Sequence, residues 1–350
     1  MEKEMEKKIS VIIPCYNVEK IVSRCLDSII EQSIGIDSLE VIAVDDASTD
    51  GTVEVLEQYE KDFPDNIMII KCENNGRQGT ARNIGLLYAT GDYISFVDAD
   101  DRIHKDMYKI LCGIVSDTKC DIVQFRHKGR MENEADETID EVKYEIYEYD
   151  SCENRKKYAL NSNVMNESCW QKFYTREIIN RAGVNFAEGV SYEEPLFTYP
   201  LKFFVDKVAV TEVPLYYYIY NEQGTTANYM SKPSKILEHL QVQQQVYEFM
   251  RNIPQYSVYK EEIELYIIHT FYVETFYFMK YRGYGVAAGL FRYMCKWLIE
   301  TIPESIHNPY FDDISLKEEK KLVSLINTDV LSCSDEQLQQ ILDDASAKLV

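Results

Sequence analysis

No two of the nine cysteines are spaced as CxxC, and nine is an odd number. That excludes a disulfide framework or a zinc ribbon as the basis of the fold and points to a reducing cytoplasm. Histidine is scarce, with five dispersed copies. No run reaches the ~20 apolar residues that cross a bilayer. The longest candidate, LYIIHTFYV at 265–273, is bounded by Glu264 and Glu274 and reads as a buried helix. The start, MEKEMEKKIS, lacks the apolar core of a signal peptide. Positive charge is short: 37 Lys and Arg stand against 59 Asp and Glu, for a net charge of −22. A field of that sign opposes nucleic acid and anionic membrane. It leaves room for an anionic substrate where a bound cation reverses the field locally. There is no P-loop, internal repeat or low-complexity tract. GYGVAA at 283–288 fits G-x-G-x-x-A but follows a helical stretch, which argues against dinucleotide binding.

What is present is enough apolar material for a sizeable core, 45% of 350 residues. The length suggests two domains, or one with a large extension. The first 130 residues alternate. ISVIIPCYN, LEVIAVDD, IMIIKC, YISFVD and DIVQF are buried-type strands. Between them lie helical patterns: Ile21, Val22, Cys25, Leu26, Ile29 and Ile30 share one face, TDGTVEVLEQYEKD starts near Thr49 or Asp50, GTARNIGLLYAT stops at Gly91, and a fourth spans 104–118. Continuous apolar strands separated by helices predict a parallel sheet covered on both faces, with right-handed crossovers. Ligands then bind outside the carboxyl ends of the strands. Beyond 130 the pattern weakens. RMENEADETIDE reads as a loop, VKYEIYEY as an exposed edge strand, WQKFYTREIINRAG as a helix and VAVTEVPLYYYIY as strand. From 234 the chain is helical, with capping boxes at Ser315/Glu318 and Ser334/Gln337.

The chemistry gathers at the strand ends. Asp45 and Asp46 close the second strand; Asp98, Asp100 and Asp101 close the fourth. Five carboxylates on one edge repel one another unless a cation lies among them. A hard divalent ion, Mg²⁺ or Mn²⁺, takes one or two carboxylates and completes its shell with water and phosphate oxygens.

VIIPCYN, VIAVDDASTDGT, NNGRQGTARNIGL and GDYISFVDADD, in that order, resemble the successive motifs of family 2 glycosyltransferases over about residues 8–125. Weaker similarity continues through WQKFYTREII, GVSYEEPLF and PLYYYIY, as in bacterial enzymes that build surface polysaccharides. The resemblance implies an α/β fold of the GT-A type: a doubly wound, mostly parallel sheet with helices on both faces, plus a C-terminal helical extension. It implies a catalytic domain over 1–233, with a nucleotide-sugar half at about 8–128 and an acceptor half at about 129–233, and a helical region at 234–350. By the same resemblance Pro14, Tyr16 and Asn17 line the nucleotide pocket. Asp46 contacts the donor's base and ribose, with Asp45 beside it. Arg82 lies near the pyrophosphate or stabilises the loop carrying Gly76 and Gly79. Asp98 approaches the ribose or sugar and the metal, Asp100 is the main metal ligand, and Asp101 supports them.

SYEEPLF occupies the place of the family's ED motif. Glu194 is the expected base toward the acceptor hydroxyl, with Glu193 supporting it; the family more often has Asp at that second position. Ile219 stands where related chains carry an arginine for the pyrophosphate. Trp170 has two readings, partly buried packing or stacking on an acceptor sugar. The resemblance implies a nucleotide-sugar donor, UDP-linked as is commonest in the family, and a glycan or lipid-linked acceptor as partners. The expected reaction is inverting and metal-dependent. The aromatic helices at 257–300 suit packing on the catalytic domain, a homodimer contact, or peripheral contact with the inner face of the membrane. Two rivals fit less well. A sugar-phosphate nucleotidylyltransferase needs a Gly-rich basic loop where PCYNVEK stands. A non-catalytic nucleotide-sugar-binding protein would not need the full acidic set.

Overall fold

The computed structural model describes residues 8–130, 136–221, 235–281, 283–313 and 316–346. The chain divides into two compact units, Met1–Tyr229 and Met230–Val350. The boundary expected at 233/234 lies outside the described residues.

In the first unit β1 (Ile9–Cys15), β2 (Leu39–Asp45), β3 (Ile67–Lys71) and β4 (Tyr93–Phe96) form a parallel set in the order β3-β2-β1-β4. Ile9, Val11, Ile12, Ile13 and Val41 to Val44 have no exposed surface. That is why these strands read as unbroken apolar runs: helices cover both faces. α1 (Val22–Ile30) buries Val22, Cys25, Leu26 and Ile29 at helical spacing. α2 (Thr52–Asp62) starts three residues after Thr49; the Asp50 carboxylate accepts from the backbone N–H and the hydroxyl of Thr52. α3 (Arg77–Tyr88) lies against the sheet on small residues. A Cβ on Gly85 would stand 2.4 Å from the Ile12 side chain.

The other half of the sheet departs from the sequence expectation. WQKFYTREIINRAG is not one helix. Cys169–Gln171 is a single 3-10 turn, Lys172–Thr175 is strand β8, and only Arg176–Ala182 (α6) is helical. Strand β8 runs antiparallel between β4 and β6 (Ile122–Arg130), so the DIVQF strand is not the direct neighbour of β4. Four residues are too few to show a period of two, and Phe173 and Tyr174, both fully buried, fit either period. The helix expected from 104 begins at Met107 as α4 (Met107–Thr118).

Strand β9 (Lys207–Ile219) runs parallel to β6. Its far edge pairs antiparallel with β7 (Tyr144–Glu148) at one end and β5 (Arg102–Ile103) at the other. The sheet is therefore mostly parallel with reversed strands on one side, and α7 (Glu194–Leu201) packs Phe197 on Phe96 of β4 and Tyr174 of β8.

The second unit is helical: Lys235–Arg251, Tyr256–Ile267, Glu274–Tyr281, Ala288–Thr301, Lys317–Val323 and Asp335–Ser346 are its α-helices among the described residues. Residues 268–273 form a π-helical turn whose Ile268, Phe271, Tyr272 and Val273 are buried. Among the described residues no helix is long and apolar enough to cross a membrane. Ser334 and Gln337 exchange the reciprocal bonds of a capping box. Ser315 lies outside the described residues. Among the described residues, the element before GYGVAA is the helix ending at Tyr281 and not a strand.

Candidate active site

The carboxyl ends of β1, β2 and β4 open on one side of the sheet, and the loops leaving them are tied together. Asn17 has φ +52 and donates its N–H to the Ser48 hydroxyl, while its Oδ1 accepts from the Thr49 N–H at 2.8 Å. Ala47 is also left-handed, at φ +60. Pro14 sits in β1, and Tyr16 projects into solvent, nearly half exposed. Of the five non-glycine residues with positive φ among those described, Asn17, Ala47, Arg77 and Tyr192 lie in loops around this edge. Such conformations cost ~1–3 kcal/mol each and collect where loops must hold a fixed shape.

The acidic residues do not share one role. Asp46 is buried; its Oδ1 accepts from the Gly76 N–H at 2.8 Å, and its own N–H donates to the Cys15 carbonyl. Asp45 is buried as well. One oxygen accepts from the Ser48 N–H, and Oδ1 is buried without a partner. Asp101 turns into the fold, where it accepts from the Tyr216 hydroxyl and the Ile219 N–H, each at 2.8 Å. Burial, with Asp98 and Asp100 nearby, pushes its carboxyl up to about 8. The expectation of five carboxylates facing one crevice thus holds less widely than the spacing suggested. Asp98 and Asp100 are the two that retain access.

Asp100 accepts from the Asn221 side chain at 3.0 Å, and its backbone carbonyl accepts from the Arg24 guanidinium. Burial and then the neighbouring Asp98 raise its carboxyl above the usual range. Asp98 keeps about a quarter of its side chain exposed and bonds Arg82 at 2.7 Å.

Arg82 is buried on α3 and spans two elements. One nitrogen reaches Asp98, at the end of the β4 segment; the other reaches Glu193, at the start of α7. Glu193 is also buried, and its second oxygen accepts from Gln78 at 3.1 Å. Gly79 makes this approach sterically feasible. A Cβ there would lie 2.2 Å from the Ala187 carbonyl and 2.9 Å from the Glu193 Cβ.

Glu194 differs from its neighbour. It is half-buried, and its Oε1 accepts from the Cys169 N–H at 2.7 Å. Burial pushes its carboxyl up to about 7, against the pull of Arg82 and with a further push from Glu193. Trp170 packs on Tyr216 at 4.6 Å between ring centroids and lies near Tyr218 and His127. Ile219 is buried and contributes only its N–H, to Asp101.

Several residues here escaped sequence reasoning. Cys169 acts through its backbone, which no side-chain pattern announces. Tyr216 lies in an aromatic strand run that gives no sign of a polar role, yet its hydroxyl accepts from the Asp98 N–H. Arg24 sits on the partly exposed side of α1 and looks from sequence like an ordinary surface residue.

The mostly parallel sheet with carboxylates at the ends of its strands is a fold of the GT-A type. The sequence pattern of Glycosyl transferase family 2 matches residues 10–183, and that stretch of the chain belongs to the family. It is 30% identical over 221 residues to an uncharacterized glycosyltransferase, YibD, of Escherichia coli (strain K12), covering 61% of this chain and 62% of the relative. It is 29% identical over 224 residues to the poly(ribitol-phosphate) beta-N-acetylglucosaminyltransferase TarS of Staphylococcus aureus (strain Mu50), covering 62% of this chain and 36% of that protein. The match thus spans under two thirds of the curated relatives' length. The fold matches the crystal structure of S. aureus TarS 1–349 in complex with UDP-GlcNAc: TM-score 0.70, 21% identity, 95% of this chain and 92% of that one. A mannosyltransferase from Pyrobaculum calidifontis in complex with GDP-Man and Mn²⁺ is similar at TM-score 0.51 and 15% identity, over 92% and 86% of the two chains.

Proposed function

We propose that this protein transfers a sugar from a nucleotide-diphosphate donor, UDP-linked, to a hydroxyl of a glycan or lipid-linked acceptor, with inversion, in bacterial surface-polysaccharide synthesis. The observation that carries this reading is Glu194: a half-buried carboxylate held by one N–H and raised to about 7, so that it takes up and releases a proton near neutral pH. The UDP-GlcNAc complex of TarS supports the donor class, and the name of TarS supports a polymeric acceptor.

Glu194 accepts the proton of the acceptor hydroxyl as that oxygen attacks the anomeric carbon. The bond to the nucleotide diphosphate breaks on the opposite face, so the configuration inverts and no covalent enzyme intermediate forms. Arg82 holds Asp98 and Glu193 in one fixed unit, which keeps the donor side and the base in register. Asp46 and Asp45, with Pro14, Tyr16, Asn17 and Gly76 around them, form the base and ribose side of the donor site.

The donor set suits Mg²⁺ or Mn²⁺. Asp98 and Asp100 offer hard oxygen ligands, and Asp100 is pushed up by burial first and by the neighbouring Asp98 second, both of which a cation would offset. Among the described residues no cluster of three or more His, Cys, Asp or Glu is arranged to hold a metal. Asp98 and Asp100 would hold the ion, and phosphate oxygens of the donor would complete its shell. When bound, the cation supplies charge neutralisation for the diphosphate leaving group.

The test is transfer across a nucleotide-sugar panel with Mn²⁺. Glu194→Gln is expected to bind donor normally and lose transfer by at least 10²-fold; a fully active variant removes Glu194 as base. Asp100→Asn is expected to abolish the Mn²⁺-dependent part of donor affinity in calorimetry, and unchanged affinity removes the metal assignment.

A further inference from the structure

Lys172 has no exposed surface, yet no part of the chemistry above uses it. Its ammonium donates to the Ser168 carbonyl and to Asn166 Oδ1, each at 2.7 Å. Both acceptors are neutral. A buried ammonium without a carboxylate in contact is costly, and a chain keeps such a group only where the surroundings are built for it. Here they are. The Asn166 N–H donates to Gln124 Oε1 at 2.8 Å, its side-chain amide donates to Gln171 Oε1 at 3.0 Å, and Gln171 donates to the Phe125 carbonyl.

The Ser168 carbonyl and the Cys169 N–H are the two ends of one peptide group. The first accepts from Lys172, and the second donates to Glu194 at 2.7 Å. A cation at the oxygen end of an amide draws electron density away from its N–H and strengthens the bond that N–H donates. The next carbonyl, of Cys169, is fixed by the Tyr174 hydroxyl at 3.1 Å, so the peptide cannot rotate freely.

We propose that Lys172 is the positioning residue for Glu194, holding its carboxylate oriented and ionised through the single Ser168–Cys169 peptide. For the rate of transfer, this rests on Glu194 being the base; for the linkage between the two groups it does not. The charged and titratable groups around Glu194 are Arg82, Glu193, Asp98 and Cys169, and those around Lys172 are Glu194, Cys169, Lys202 and Glu167. Burial draws Lys172 down to about 7, and Glu194 is the largest influence holding it up.

The experiment is the pH profile of kcat for Lys172→Met and Lys172→Arg, with folding checked by thermal melting. An opposite charge close to a carboxylate lowers its pKa by ~1–3 units, and action through one peptide belongs at the low end. Lys172→Met is expected to move the acid limb up by about one pH unit, with donor KM within about twofold. Lys172→Arg keeps the cation and returns the limb toward the wild type. An unmoved limb in folded Lys172→Met, or equal shifts in the two variants, overturns the proposal. A measurement that needs no lysine variant is the titration of ¹³Cε-labelled lysine in the wild type and in Glu194→Gln. Linkage is reciprocal, so loss of the carboxylate must lower the Lys172 midpoint, and an unchanged midpoint overturns the proposal. If Glu194→Gln retains full transfer, the base assignment fails, while the lysine titration still decides the linkage.

Discussion

Replacing Arg82 by methionine keeps most of the side-chain volume and removes the one cation that bridges Asp98 and Glu193. The two carboxylates then part ways. Asp98 keeps 27% of its side chain exposed and turns to water; Glu193 keeps 1% and cannot. Breaking a buried ion pair by deleting one partner costs ~3–5 kcal/mol, most of it the stranded charge. With one charge stranded rather than two, the expected loss is ~3 kcal/mol. In a unit of this size that lowers the melting temperature by about 6–12 °C. The assay is calorimetric unfolding of the full chain, with hydrogen exchange of the β1 and β4 amides assigning the transition to the N-terminal unit. Adding Glu193→Gln to Arg82→Met is expected to recover most of the loss, because the amide needs no counter-charge and Gln78 still faces it. A loss below ~1 kcal/mol, or no recovery in the double variant, would refute the view that Arg82 is held by the desolvation of Glu193.

Gly79→Ala places a methyl 2.2 Å from the Ala187 carbonyl, which forces α3 and the 187–193 loop apart. The expected cost is ~1–3 kcal/mol by calorimetry, with a fall in kcat as Glu193 moves. Tyr216→Phe removes the hydroxyl that donates to buried Asp101 and accepts from the Asp98 N–H. A loss of ~1.5–3 kcal/mol in denaturant unfolding is expected. Lys202 is buried, donates to the Ala159 carbonyl, and is drawn down to about 8 by burial. The unfolded chain holds that proton to ~10.4. Between those values the unfolded state binds more protons, so Lys202 makes stability rise with pH. Lys202→Met is expected to flatten that rise between pH 8 and 10, measured as the difference from wild type.

Several features follow from local composition. The runs Ile9–Cys15, Leu39–Asp45 and Tyr93–Phe96 are apolar throughout, and only a strand covered on both faces tolerates that, so the parallel half of the sheet is legible. Asp45–Asp46 and Asp98–Asp101 stand at the carboxyl ends of β2 and β4, where the ladder stops and loop N–H groups, such as those of Ser48 and Gly76, are free to meet a carboxylate. Other features have no local trace. The KFYT strand lies in a window that also suits a helix, and only β4 and β6 on its two sides decide for strand. Glu193 and Glu194 are adjacent and chemically alike. The first is saturated by Arg82 and Gln78 and the second is held by a single peptide N–H, because their neighbours arrive from more than a hundred and from twenty-five residues away respectively. Lys172 reads as a surface charge until β8 is enclosed. The sequence alone determined which residues are able to carry charge and where strands end. Tertiary packing decided which charges lose water and which partner each one meets, because desolvation and pairing depend on neighbours brought together only by the fold.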